Sequence, residues 1–259
     1  IDRSGSVAVR ARDVRSTTGC STQTAERRLG SVLVDRGFSV DLEDPDHELR
    51  VLFSEGEIDG ERRGRCFIGW LTVESKRDFG ERRPTDRPFF QPGSMAPLDA
   101  RALVNIAGAG PDSRVVDPMC GTGGVLLEAG LVGARVVGVD AQWKMTRGSR
   151  QNLDALLDDG EYEIIHGDAT ALPIVDGAAD AVVFDAPYGR QSKIARHELA
   201  DLVGGALVEA RRIADRAVVV ADRSWEAEAR AAGWTVDRRF ERRVHGTLVR
   251  HVHVLTTEK

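Results

Sequence analysis

Residues 114–124 read Arg114-Val115-Val116-Asp117-Pro118-Met119-Cys120-Gly121-Thr122-Gly123-Gly124. A short apolar strand, Arg114–Asp117, ends in an acid and runs through a glycine-rich turn into a helix over Gly124–Leu131. Gly121 and Gly123 allow tight turning and close approach of backbone to a ligand. The helix start offers free N–H groups and a positive dipole end. A dinucleotide site calls for GxGxxG with an apolar residue where Asp117 stands, and a phosphate loop calls for GK[ST]; neither is present. An acid ahead of the glycines suits a cationic ligand, such as one carrying an amine and a sulfonium, better than a pyrophosphate. Taken alone, the turn reads equally well as an ordinary strand-to-helix connection.

Two more acids occupy the same place in the pattern. Asp140, 23 residues after Asp117, ends a second strand, Arg135–Asp140. From a strand end a carboxylate can accept both hydroxyls of a ribose. A third strand, Tyr162–His166, leads into Gly167-Asp168-Ala169, from which Asp168 can accept from an adenine amine. Singly, such acids are surface or helix-capping residues. Together they mark the carboxyl ends of successive strands around a crevice. Helices predicted over Pro97–Ala107, Met145–Leu157, Ile194–Ile213 and Trp225–Ala232 alternate with further strands over Asp180–Phe184 and Ala217–Ala221. Thr235–Arg239 and Leu248–Leu255 read as a closing hairpin. The alternation predicts an α/β domain with a mostly parallel sheet covered on both faces.

The whole chain has 259 residues, 41% apolar and 30% charged, which excludes a fibrous or disordered protein. No apolar run approaches the ~18 residues of a membrane span. The start, Ile1-Asp2-Arg3-Ser4-Gly5, lacks the order of a signal peptide and lacks Met, so a processed or trimmed chain is expected. Three scattered cysteines, Cys20, Cys66 and Cys120, argue for a reducing compartment, here the cytoplasm, and against a zinc or disulfide framework. Net charge is −1 over residues 1–90, −8 over 91–210 and +4 over 211–259, so a polyanion would meet the C-terminal part.

Residues 81–97 hold four prolines and read as a linker. Ahead of it lies a small α+β module. Ser6–Ala11 alternates as a strand, Thr22–Arg36 has helical spacing with Gly37 as its stop, and Val40–Leu42, Leu49–Phe53 and Arg65–Val73 read as strands.

With three acids at three strand ends, the chain resembles the class I S-adenosylmethionine-dependent methyltransferases. That resemblance implies a seven-stranded sheet. It puts Asp117, Gly121 and Gly123 against the methionine part of the cofactor, Asp140 against the ribose, and Asp168 and Ala169 against the adenine. Strand four ends Phe184-Asp185-Ala186-Pro187-Tyr188-Gly189, which resembles the (Asp/Asn)-Pro-Pro-aromatic motif of methyltransferases acting on exocyclic amines of nucleobases. An aromatic amine is a poor nucleophile because its lone pair is spread into the ring. Asp185 can accept one N–H and the Ala186 carbonyl the other, aiming the lone pair at the methyl group; Asp185 counts on the cofactor side as well. Pro187 holds the turn, and Tyr188 can stack on a base splayed from its helix. Ala186 departs from the motif, which has Pro there. In the linker, Arg87-Pro88-Phe89-Phe90-Gln91-Pro92-Gly93-Ser94 resembles the Phe-x-x-Pro-Gly segment that closes over the cofactor in some relatives, with Phe90, Gly93 and Ser94 as contacts.

The order of these motifs, with Leu98-Asp99-Ala100-Arg101-Ala102-Leu103-Val104-Asn105 and Val244-His245-Gly246-Thr247-Leu248-Val249-Arg250, resembles the archaeal-type tRNA guanosine-10 N2-methyltransferases. It implies that residues 1–80 form most of a THUMP RNA-binding domain, shortened at its start, that residues 81–94 link and close, and that residues 95–259 are catalytic. The implied product is N2-methylguanosine or N2,N2-dimethylguanosine in tRNA, at position 10. Arg238, Arg239, Arg242, Arg243 and Arg250 are the candidate phosphate contacts. No metal is assigned, since His251 and His253 have no acid or Cys completing a spacing, and Cys120 is read as loop packing. Two alternatives stay open: an adenine-N6 or other nucleobase amino-methyltransferase, and an RNA-binding protein with a decayed catalytic fold.

Overall fold

The computed structural model describes residues 3–58, 60–158, 160–188, 196–245 and 248–257. The predicted helix start at Ile194, the terminal residues Ile1 and Asp2, and the motif residues Gly189, Gly246 and Thr247 lie outside the described residues. The chain divides into two units, Ile1–Lys76 and Arg77–Lys259.

The first unit contains β1 (Ser6–Asp13), α1 (Thr22–Val34), β2 (Ser39–Val40), β3 (His47–Ile58) and β4 (Glu61–Trp70). Its sheet runs β2-β1-β3-β4, with β1 parallel to both neighbours and β3–β4 an antiparallel hairpin. The Ser21 hydroxyl caps α1 by accepting from the Thr24 N–H. Val7, Val9, Leu33, Phe38, Leu49 and Val51 form the core. The hairpin extends beyond the apolar patches: β3 runs on to Ile58, and β4 begins at Glu61 and ends at Trp70, short of the predicted Val73. Pairing continues outward from Glu55 opposite Gly64 to Ile58 opposite Glu61, and Arg62 reaches Glu55 at 3.0 Å across the strands.

The second unit opens with two 3-10 turns, Asp78–Arg82 and Pro84–Asp86. Then follow α2 (Pro97–Ala107), β5 (Arg114–Asp117), α3 (Gly124–Gly130), β6 (Arg135–Asp140), α4 (Trp143–Leu156), β7 (Tyr162–His166) and β8 (Ala181–Asp185). After them come α5 (Arg196–Ile213), β9 (Arg216–Ala221), α6 (Glu226–Ala231), β10 (Thr235–His245) and β11 (Leu248–Thr256). The seven strands are ordered β10-β11-β9-β8-β5-β6-β7; β5 to β9 pair in parallel, and β11 is antiparallel to both its neighbours. This is the seven-stranded, mostly parallel α/β sheet expected.

Period-two alternation divides the strand side chains between two cores. Val115, Val136, Val183, Val218 and Val220 pack with Leu103, Leu126 and Leu153 of α2, α3 and α4. Val116, Val139, Val182, Phe184 and Val219 pack with Val203, Leu207 and Ile213 of α5 and with Trp234. Each such side chain, fully buried, contributes roughly 1.5–3 kcal/mol. Burial on both faces is why the strands read as continuous apolar runs rather than as alternating ones. Among the described residues, no helix is long and apolar enough to cross a membrane.

Candidate active site

The strand order reverses at β5, which has β6 on one side and β8 on the other. The helices that leave these strands go to opposite faces, so a crevice opens over the strands' carboxyl ends. Asp117 ends β5 with 2% of its surface exposed, and its Oδ1 accepts the Met119 N–H at 3.0 Å. Asp140 ends β6. Its Oδ2 accepts from the Gly121 N–H at 3.0 Å and its Oδ1 from the Gln142 N–H at 2.9 Å. Gly121 and Gly123 have φ of 53° and 78°, which favours glycine at both. A Cβ on Gly123 would lie 2.4 Å from Ser149 Oγ, so the turn also needs the missing side chain.

Gly93, Ser94, Asp117, Gly121 and Asp185 line one cleft, open to solvent, together with Gln91, Met119, Thr122 and Met145. Burial pushes the Asp117 carboxyl well above its ordinary range, and the nearby Asp140 and Asp185 add to this against the Met119 hydrogen bond. Asp140 is also pushed up by burial, in spite of its two N–H donors. Asp185 Oδ1 is buried and has no hydrogen-bond partner among the described residues. A cleft walled by buried acids fits a cationic ligand bearing an amine and a sulfonium, and Asp185 Oδ1 is left as an open acceptor. Cys120 is buried, and burial with the two acids nearby raises its thiol well above the usual range, which disfavours a nucleophilic thiolate. Asp168 and Ala169 follow β7 and are not among the cleft-lining residues. Asp168 is exposed and its Oδ1 accepts from Thr170 N–H and Oγ1, both at 2.8 Å, while Ala169 is buried.

The proline-rich segment is docked by residues the sequence did not single out. Glu128, fully buried in α3, receives Arg82 Nε at 2.6 Å and Nη2 at 3.1 Å, and Arg101 Nη2 stands 3.0 Å away. Asn152 of α4 accepts from the Phe89 N–H at 2.8 Å and donates to the carbonyls of Phe89 and Thr122, each at 2.9 Å. The Phe89 ring lies where a side chain on Gly148 would be, 2.0 Å from a Cβ built there. It is therefore Phe89, not Phe90, that anchors the segment. Phe90 is 44% exposed and is not among the cleft-lining residues. The anchored neighbour takes the inward position, and the adjacent residue is turned to solvent. Gly93 and Ser94 do reach the cleft, with the Ser94 hydroxyl donating to the Gln91 carbonyl at 2.7 Å and lying 3.1 Å from Thr122 Oγ1.

Asp185 ends β8 at the same cleft. Burial pushes its carboxyl up to about 6, with the Arg250 guanidinium pulling the other way. The next N–H, of Ala186, donates to the Val220 carbonyl of β9 at 2.8 Å, a bond the motif's usual Pro could not make. Tyr188 hydrogen-bonds Asp185, and its hydroxyl accepts from Arg250 Nε at 2.9 Å. Pro187 lies between them, partly buried.

Arg250 is thus no surface phosphate contact: it is 7% exposed. The β10–β11 register sets it opposite Arg242, and Asp99 of α2 takes both guanidiniums, with Oδ2 3.3 Å from Arg250 Nη1 and Oδ1 2.7 Å from Arg242 Nη2. Arg238, Arg239, Arg242 and Arg243 of β10 are exposed; Arg239 stands 3.6 Å from Glu226. No local signal in the sequence shows which charge a helix-start acid such as Asp99 will meet.

The family model described as UPF0020, RMKL-like, methyltransferase domain, matches residues 84–251. A tRNA (guanine(10)-N2)-dimethyltransferase of Methanothermobacter thermautotrophicus is 36% identical over 244 residues, covering 90% of this chain and 68% of that protein. One of the same name from Pyrococcus abyssi is 29% identical over 257 residues, covering 97% of this chain and 74% of the relative. Among solved structures, TrmN from Thermus thermophilus superposes with a TM-score of 0.56 at 25% identity, over 98% of this chain and 73% of its own.

Proposed function

Since the chain belongs to the UPF0020 family of RMKL-like methyltransferase domains, we propose that it methylates the exocyclic N2 amine of guanine in tRNA, at position 10, with S-adenosylmethionine as donor. The observation that carries the reading is Asp185, which lines the cleft with one buried carboxylate oxygen unpartnered at the end of the strand next to β5.

Asp117, Gly121, Gly123, Asp140, Asp168, Ala169, Gly93 and Ser94 are the residues proposed to hold the donor. When bound, it supplies a methyl group made electrophilic by a sulfonium. Asp185 Oδ1 accepts one N–H of the target amine, and the Ala186 carbonyl the other, so the lone pair is directed away from the ring. This contact strengthens as positive charge develops on nitrogen, so it favours the transition state over the ground state. Once nitrogen has gained its methyl group, its surplus proton passes to the Asp185 carboxylate and on to water. With its carboxyl near 6, Asp185 is ionised at neutral pH yet more basic than an exposed acid. The Tyr188 ring offers a stacking face.

Residues 1–80 are proposed as a THUMP-like tRNA-holding module, residues 81–94 as the closing segment and residues 95–259 as the catalytic domain. The separate sheet and core of the first unit support a distinct N-terminal module, whose compact part ends at Lys76, with residues 77–80 falling in the second unit. Arg238, Arg239, Arg242 and Arg243 are proposed to meet phosphates, which their exposure supports. Acting on tRNA, the protein is placed in the cytoplasm by the same proposal. Mass mapping of tRNA after reaction is the test. N2-methylguanosine or N2,N2-dimethylguanosine at position 10 is expected. N6-methyladenosine would overturn the base assignment, and a methylguanosine elsewhere would overturn the position.

A further inference from the structure

The groups behind Asp185 form a directed chain. Arg250 Nε carries a hydrogen and no lone pair, so in its 2.9 Å bond the Tyr188 oxygen accepts. The phenol then has one hydrogen left, and its bond to Asp185 runs from hydroxyl to carboxylate. Arg250 Nη2 stands 3.8 Å from Asp185 Oδ2, while Oδ1 has no partner among the described residues. At the other end, Asp99 is 3.3 Å from Arg250 Nη1 and is itself paired with Arg242 at 2.7 Å. One face of the guanidinium is thus braced by α2, and the other is spent on the acceptor loop.

We propose that Arg250, braced by Asp99, is a positioning residue that commits Oδ2 of Asp185 and the Tyr188 hydroxyl, leaving Oδ1 as the acceptor for the target amine. The proposal rests on the reading of Asp185 as the acceptor-site carboxylate. Arg250 does not line the donor cleft, so its effect is separable from donor binding. It also acts on charge. Asp185 faces Arg250 from β11, Tyr188 from its own loop, Asp222 from the turn after β9 and Asp117 from β5. Burial, with Asp222 adding to it, raises its carboxyl, and Arg250 is the largest opposing influence.

The test is single-turnover methyl transfer to tRNA from pH 5 to 9, with donor affinity by calorimetry as control. For Arg250→Gln the acid limb should move to higher pH by about one unit or more, as for loss of an opposite charge within ~4–6 Å. The rate at pH 7 should fall about 10–100-fold, the range for losing a group that orients a metal ligand, while donor affinity stays within a few-fold. Arg250→Lys keeps the charge but not the planar fork, so the limb should stay and the rate should fall. Should Arg250→Gln fail to bind donor, Asp99→Asn tests the brace: a lower rate with an unmoved limb supports it, and a wild-type rate overturns it. A wild-type limb and rate in Arg250→Gln would overturn the proposal. Asp185→Ala separates the two readings. If it is inactive while Arg250→Gln behaves as wild type, the positioning role alone fails. If it stays active, the acceptor-site reading fails as well.

Discussion

The Gly121 N–H donates to Asp140 Oδ2 at 3.0 Å, tying the glycine turn after β5 to the end of β6. One carboxylate therefore shapes the loop and is the one proposed to hold the ribose. Asp140→Ala leaves the N–H groups of Gly121 and Gln142 without their acceptor and removes the proposed sugar contact. Affinity for S-adenosylmethionine should fall by about tenfold or more, in line with roughly 1.5–3 kcal/mol for a hydrogen bond to a charged group. Calorimetry checks this, and unchanged affinity would remove Asp140 from the donor site.

Asp117 should show the cost of that site to the empty protein. Its folded carboxyl titrates above its unfolded one, because of burial and the neighbouring acids. The folded state thus holds its proton to higher pH than the unfolded state does. The penalty is absent below the unfolded pKa, grows as pH rises toward the folded value and is complete above it. Asp117→Asn, which mimics the protonated form, should raise the apo thermal midpoint at pH 7 and leave it nearly unchanged near pH 4. It should also weaken donor binding. A lower midpoint at pH 7 would show that Asp117 stabilises the apo fold.

Gly123→Ala should destabilise through two separable causes. A left-handed conformation costs a non-glycine residue about 1–2 kcal/mol, and the new Cβ would press on Ser149 Oγ. Urea unfolding should show recovery of the steric part in Gly123→Ala with Ser149→Ala, with the backbone part remaining. Full recovery would mean that the backbone conformation is unstrained.

The central strands were legible because parallel strands buried on both faces carry runs such as Arg135–Asp140 and Ala181–Asp185, closed by punctuating acids. β3 outruns the predicted Leu49–Phe53, and β4 starts four residues before the predicted Arg65, because the outer rungs are held by cross-strand charge pairs such as Arg62–Glu55, which leave no hydrophobic period; β4 stops at Trp70 rather than Val73. The acids Asp117, Asp140 and Asp185 could be found because strand ends are set by local pattern. Asn152, Glu128 and Asp99 could not, since each meets partners far away along the chain, Phe89 for Asn152, Arg82 for Glu128 and Arg250 for Asp99. The same holds for Arg250. A surface cluster and a buried brace look alike in sequence, and the β10–β11 register decides between them.

Asn152 carries the closing segment, with its amide meeting Phe89 twice and Thr122 once. Asn152→Ala should release residues 88–94 from α4. Donor affinity should fall, and proteolysis near Phe89 and Phe90 should accelerate, with far-ultraviolet circular dichroism unchanged. Unaltered affinity would exclude the segment from donor binding.

The central claim is that Asp185 acts on the amine and not on the donor's affinity. Single-turnover methylation of tRNA by Asp185→Ala, with donor bound to saturation, tests it most directly. The predicted result is a rate lower by about 10²–10³ or more, as for loss of one preorganised transition-state contact. Near-normal transfer to guanine by Asp185→Ala would contradict the account.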